Sequence, residues 1–190
     1  SNPYEGERQA GTVGLPLPDV ALRVADGDGT ELARGETGVV EVRGPNVFQG
    51  YWNMPEKTKE ELRKDGFFIT GDLGVQDEEG YVTIVGRGKD LIISGGYNIY
   101  PKELELVLDA QTGVLESAVI GIPHDDLGEV PLAVLVPEAG AQIDLEAVKA
   151  AVSEALARFK QPREYRVQNE LPRNTMGKVQ KAALREEFGA

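Results

Sequence analysis

The chain has 190 residues, 41% of them hydrophobic, enough to bury a core in one ordinary domain or two small ones. Acidic residues outnumber basic ones by 32 to 20, a formal charge of -12, so the summed field repels nucleic acid and anionic lipid and no nucleic-acid or membrane partner is expected. There is no cysteine, which excludes disulfides and thiolate metal sites and fits a reducing, cytoplasmic setting, and no apolar run is long enough to span a bilayer.

The first residues, from Ser1 to Arg8, are polar, contain Gly and Pro, and lack an initiator methionine. They read as a loop, unlike a signal peptide, and point to a fragment or a processed chain. Short strands broken by turns follow. Residues 20–24 and 39–43 alternate as strands, with Asp26-Gly27-Asp28-Gly29 between them supplying turn chemistry. Asp26 and Asp28 lack the later ligands of a calcium loop, so a plain turn is expected. A charged, helix-prone segment over 55–64 ends at Asp65-Gly66, and a strand is predicted over 67–69. A second hairpin covers 80–85.

Beyond Gly86-Arg87-Gly88-Lys89-Asp90 the pattern changes to alternating helices and strands, and a domain boundary is placed in that run. Pro101 opens a helix with Leu104, Val107 and Leu108 on one face. Residues 119–122 and 133–136 are buried-strand candidates. Asp144 caps a helix whose Val148, Ala151, Val152, Ala155, Leu156 and Phe159 recur at helical spacing, and a last helix is expected over 179–188.

Four segments hold more glycine and charge than a fold requires. In Thr70-Gly71-Asp72-Leu73 an aspartate follows an apolar strand, leaving the sheet beside a residue that permits close approach; such a carboxylate can accept from vicinal hydroxyls, although an Asx-turn also fits. Arg87 can reach sugar or phosphate oxygens and its flanking glycines suit a pivot, or the run is a solvated turn. Gly95 and Gly96 follow Leu91-Ile92-Ile93 and form either a wall without side chains or a tight turn. Finally, Pro172-Arg173-Asn174-Thr175-Met176-Gly177-Lys178 is an irregular loop that places Lys178 at the start of the last helix. An ammonium about 3 Å from a phosphate oxygen is worth roughly 5 kcal/mol at an effective dielectric near 20, before desolvation; a lone lysine is otherwise solvated. No Walker loop or dinucleotide fingerprint is present, and the sole histidine, His124, reads as part of a surface turn.

In order and spacing these segments, with Gly50-Tyr51-Trp52 and Asn98-Ile99-Tyr100-Pro101-Lys102-Glu103, resemble the adenylate-forming superfamily of acyl-CoA synthetases, luciferases and nonribosomal adenylation domains. Within it the wording of residues 2–8, 44–48 and 172–181 is most similar to the malonyl-CoA synthetases. The resemblance implies an α+β fold: residues 1–88 as the β-rich C-terminal part of the large AMP-binding domain, and 89–190 as a small, mobile lid domain. It implies ATP, CoA and magnesium, the magnesium ligands lying in an N-terminal part not matched here, and a carboxylate substrate such as malonate. It also implies roles: Asp72 on the ribose hydroxyls with Arg87 assisting, Lys89 as hinge, Gly95 and Gly96 lining a pantetheine tunnel, and Lys178 bridging carboxylate and α-phosphate during adenylation. The family's glycine- and threonine-rich phosphate loop and its aromatic-Gly-x-Thr-Glu motif are missing. The resemblance therefore implies a chain that is inactive alone and needs the remaining N-terminal part of the enzyme as partner. A different acyl or aryl substrate, or a non-catalytic module keeping the lid fold, are the competing readings.

Overall fold

A computed structural model describes residues 1–189. The chain divides into two compact units, residues 1–89 and 90–190, so Asp90 is the first residue of the second unit, one position after the expected start at Lys89.

The first unit is a four-stranded antiparallel sheet in the order β1 (Ala21–Ala25), β2 (Thr37–Arg43), β3 (Phe68–Gln76), β4 (Val82–Arg87). The Asp26 carboxylate accepts from the backbone N–H of Asp28 and Thr30, both at 2.9 Å, which makes that loop the expected turn. Helix α1 (Pro55–Glu61) stops three residues short of the expected end, because Leu62 becomes extended and bridges to Phe68. Val24, Val40, Phe67, Leu73 and Val82 form the apolar core. Glu41 is fully buried among them, answered by Arg63 Nε at 2.6 Å and Arg23 Nη2 at 2.8 Å, while Arg23 also holds Asp65 and lies 3.9 Å over the Phe67 ring. Burying an ionised carboxylate is tolerable only with partners of this kind.

Two expectations need correction here. The strand expected at 67–69 extends to Gln76, so Asp72 does not leave the sheet: it lies inside β3, directly opposite Arg87. Arg87 is likewise the last residue of β4 and not part of a free turn. The physical reason is that Gly71, at φ +75°, and a register shift at Leu73/Gly74 absorb the irregularity locally while pairing with β4 continues.

The second unit has a five-stranded sheet in which β6 (Tyr97–Ile99), β5 (Ile92–Ser94), β8 (Gly128–Pro137) and β7 (Val114–His124) follow in that order, and β9 (Glu164–Val167) runs parallel to β8. Strands β7 and β8 are buried on both faces, which is why their sequences read as continuous apolar runs. One face, with Val119, Ala133 and Leu135, packs with Leu104 and Leu108 of α2 (Pro101–Asp109) and Val148 and Val152 of α3 (Leu145–Ala155). The other, with Ile120, Leu132 and Val134, packs with Leu171 and with Leu184 of α4 (Lys181–Phe188). Asp144 caps α3 by accepting from Glu146 and Ala147 N–H at 3.0 and 3.1 Å, a device worth about 1 kcal/mol.

Helix α3 ends at Ala155, with Leu156 extended, so Phe159 is not on it but in a separate 3-10 turn, Arg158–Lys160. The last helix begins at Lys181, two residues later than expected, and Lys178 belongs to the preceding loop. Among the described residues no helix is long and apolar enough to cross a membrane.

Candidate functional site

In the first unit, β3 and β4 bring Asp72 and Arg87 together. Arg87 Nε lies 2.9 Å from Asp72 Oδ1, and Arg87 Nη1 donates to the Thr70 carbonyl at 2.9 Å. Thr70, which sequence reasoning had noted only as a neighbour, proves central: its hydroxyl donates to the Val40 carbonyl at 2.8 Å and accepts the Asp72 N–H at 3.1 Å. The aspartate backbone is thereby fixed to β2. The side chains of Asp72 and Arg87 stay 32% and 50% exposed, and Arg87, with Glu61, Thr70, Gly71 and Lys89 among others, lines a cavity of about 350 Å³. Asp72 Oδ2 has no partner among the described residues, so it can accept from hydroxyls of a ligand, while Arg87 retains donors for ligand oxygens. The Tyr51 hydroxyl donates to Glu61, and this bond, with burial and the carboxylate's charge, raises the phenol above its ordinary value.

In the second unit Gly95 and Gly96 form the turn between β5 and β6. Their φ values are +56° and +83°, two successive left-handed residues as a two-residue hairpin requires. Gly95 N–H donates to the Leu127 carbonyl at 2.8 Å and Ile93 N–H to Glu129 Oε2 at 3.1 Å. A Cβ at Gly95 would lie 3.2 Å from Leu127 Cδ2, whereas one at Gly96 would meet nothing within 4 Å. The pair thus forms the expected tight turn, with open space beside Gly96.

The lysine loop is closed by its own polar groups. The Asn174 side-chain oxygen accepts from Met176 N–H at 3.0 Å and Lys178 N–H at 2.9 Å, and Asn174 N–H donates to the Lys178 carbonyl at 2.9 Å. Arg173 and Val179 form an antiparallel bridge, and Gln180 N–H donates to the Pro172 carbonyl at 2.8 Å. Arg173 reaches the Gly177 carbonyl at 2.6 Å and pairs with Glu116 of β7. Lys178 itself is exposed, and its ammonium has no ion-pair or hydrogen-bond partner among the described residues. A fixed backbone carrying a free ammonium suits an anionic ligand.

Lys89 is exposed, in the 3-10 turn Gly88–Asp90 at which one unit ends and the other begins. His124 ends β7, its Nδ1 accepting from Asp126 N–H at 3.2 Å, in a turn at the surface. Among the described residues no group of three or more His, Asp or Glu side chains gathers as a metal site. Sequence reasoning missed the supporting contacts, such as Lys181–Glu105 across 76 positions, because no local pattern announces them; Asn174 was legible as a turn former.

Residues 1–52 match the AMP-binding enzyme family and residues 103–178 the AMP-binding enzyme C-terminal domain. The ATP-bound crystal structure of MatB from Rhodopseudomonas palustris is 58% identical, with a TM-score of 0.93 over 99% of this chain and 38% of that one. Indoleacetate–CoA ligase from Aromatoleum aromaticum is 43% identical over 97% of this chain and 36% of its own length. Long-chain-fatty-acid–CoA ligase from Yersinia pestis is 39% identical over 98% of this chain and 33% of its own. The chain thus spans about a third of the length of the curated relatives it matches. With two family matches in chain order, relatives that are CoA ligases and a fold shared with MatB along almost its whole length, the chain belongs to the adenylate-forming AMP-binding enzyme family and corresponds to the C-terminal portion of its members.

Proposed function

We propose that this chain is the C-terminal part of a cytoplasmic, ATP-dependent acyl-CoA synthetase acting on malonate. In the first half-reaction a carboxylate oxygen attacks the α-phosphorus of ATP and pyrophosphate leaves. In the second the CoA thiolate attacks the acyl carbon and AMP leaves. Asp72 accepts from the ribose hydroxyls with Arg87 beside it. Lys178 draws the carboxylate and α-phosphate oxygens together and offsets the charge that builds between them. Gly95 and Gly96 border the path of the pantetheine arm, where side chains would obstruct it. Lys89 is the pivot that lets one lid serve both steps. Residues 1–88 and 89–190 are accordingly assigned to the large AMP-binding domain and to the lid.

The observation that carries the reading is Lys178: an exposed ammonium without an internal partner, on a loop whose backbone hydrogen bonds are satisfied internally. A lysine serving stability would be paired or packed. Magnesium finds no donor set among the described residues, so no step is assigned to it here. The choice of malonate rests on the likeness of residues 2–8, 44–48 and 172–181 to malonyl-CoA synthetases and on the 58% identity to MatB. Relatives named for indoleacetate and long-chain fatty acids support a CoA ligase with another acid as the alternative.

The test is pyrophosphate release by the full-length enzyme with malonate, methylmalonate, acetate and a medium-chain fatty acid. Preference for malonate is expected; preference for another acid replaces the substrate, and no release with any carboxylate overturns the proposal. The 190-residue chain alone is expected to release none, needing the N-terminal part as partner.

A further inference from the structure

One ion pair in the second unit is costly to build and unexplained by the fold alone. Lys181 Nζ lies 2.5 Å from Glu105 Oε1, with the two side chains only 17% and 10% exposed. Lys181 is the first residue of α4, where the positive end of the helix disfavours a cation, and Gln180 before it provides no side-chain cap. An apolar residue at the same place would avoid both penalties, since buried pairs are commonly no more stabilising than well-packed hydrophobic side chains of similar size. What a buried pair offers beyond apolar packing is direction, and so register.

The register in question is that of the lysine loop. Glu105 Oε1 also accepts the N–H of Val119 at 3.0 Å, so a single carboxylate joins α2, the middle of β7 and the first turn of α4. Leu184, one turn further along α4, is fully buried in the apolar cluster, and beyond it Arg185 pairs with Asp90 at 2.8 Å and Glu187 accepts from Gln168 at 2.7 Å; these contacts hold the later turns of the helix, whereas Lys181–Glu105 holds the turn that adjoins the loop. Lys181 stands three residues after Lys178, and the loop between Pro172 and Gln180 is closed on itself. A rotation of α4 would therefore carry the whole loop with it.

We infer that Lys181 and Glu105 are positioning residues for Lys178, locking α4 so that the lysine loop meets its anionic target in one orientation. This rests on the adenylation role proposed for Lys178. It predicts that the pair matters to the first half-reaction and not to the second, and that its replacement by neutral groups spares the fold.

The experiment compares full-length wild type, the double variant Lys181→Met/Glu105→Gln, and Lys181→Arg, which keeps the pair. Four quantities are read: thermal midpoint, hydrogen exchange of the amides over 172–180, pyrophosphate release from malonate and ATP, and thioester formation from malonyl adenylate and CoA. The double variant is expected to keep its thermal midpoint, exchange faster over 172–180, lose on the order of 10- to 100-fold in pyrophosphate release, and form thioester at the wild-type rate. Lys181→Arg is expected to keep the first step close to the wild-type rate. Unchanged exchange over 172–180 in the double variant overturns the inference, as does an equal loss in both half-reactions. If the double variant fails to fold, Lys181→Gln/Glu105→Gln, which removes both charges and keeps a neutral donor at 181, is judged by the same measures. A wild type that releases no pyrophosphate sinks the functional reading, while the exchange comparison still decides whether the pair orders the loop.

Discussion

Asp72 and Arg87 occupy directly opposed positions of β3 and β4, with Arg87 Nε 2.9 Å from the Asp72 carboxylate and the second carboxylate oxygen unengaged. A half-exposed pair of this kind contributes about 0–1 kcal/mol to stability, so its loss should be felt by a ligand more than by the fold. In the full-length enzyme Asp72→Asn is expected to raise the ATP concentration needed for half-maximal pyrophosphate release while the thermal midpoint stays close to wild type. An unaltered ATP dependence would remove Asp72 from the nucleotide site.

Lys178→Ala is expected to lower adenylation by on the order of a hundredfold or more, the scale of losing one well-placed electrostatic contact to a transition state. Thioester formation from supplied acyl adenylate should remain close to normal. Rapid-quench measurement of the two half-reactions separates these outcomes, and comparable losses in both would refute the assigned role.

Lys89→Pro tests the pivot. Proline fixes φ near -65°, so a residue that must change φ between steps can no longer do so. One half-reaction should slow strongly and the other continue; normal rates in both would place the pivot elsewhere.

Tyr165 gives the alkaline limb of stability a specific shape. Half-buried against the core that includes Leu135 and Val152, its phenol is pushed above the ordinary value of 10.0 by desolvation. Its folded pKa exceeds its unfolded one. The protonated phenol's contribution is thus complete below pH 10 and is lost as pH rises from there through the folded value. Thermal midpoints recorded upward from pH 9 should fall less steeply in Tyr165→Phe than in wild type, and identical slopes would contradict the burial account.

Much of the second unit was legible locally. Pro101 opens α2 and Asp144 caps α3 where expected, because these signals act within one turn of helix. Strands β7 and β8 were visible as apolar runs but only in their central portions, since polar ends such as Glu116 and Glu129 carry no strand signal of their own. Phe159 shows the opposite failure: its helical spacing from Leu156 continued the periodic pattern of α3, yet the backbone had already turned extended at Leu156. Strand β9 gave no usable signal, being four residues long with two charged side chains among them.

The candidate site divides the same way. Sequence by itself determined its vocabulary: the carboxylate at 72, the guanidinium at 87, the glycine pair at 95 and 96, and the lysine at 178, in an order resembling adenylate-forming enzymes. Only tertiary structure decided that Asp72 remains inside a strand against Arg87, that Thr70 ties it to β2, and that Lys178 sits in a closed loop three residues before a helix held by Glu105. The physical reason is range. Turn and cap preferences are set by neighbours a few residues apart, whereas the partners that orient a charged side chain are chosen by sheet register and helix packing, which join Asp72 to Arg87 across 15 positions and Glu105 to Lys181 across 76.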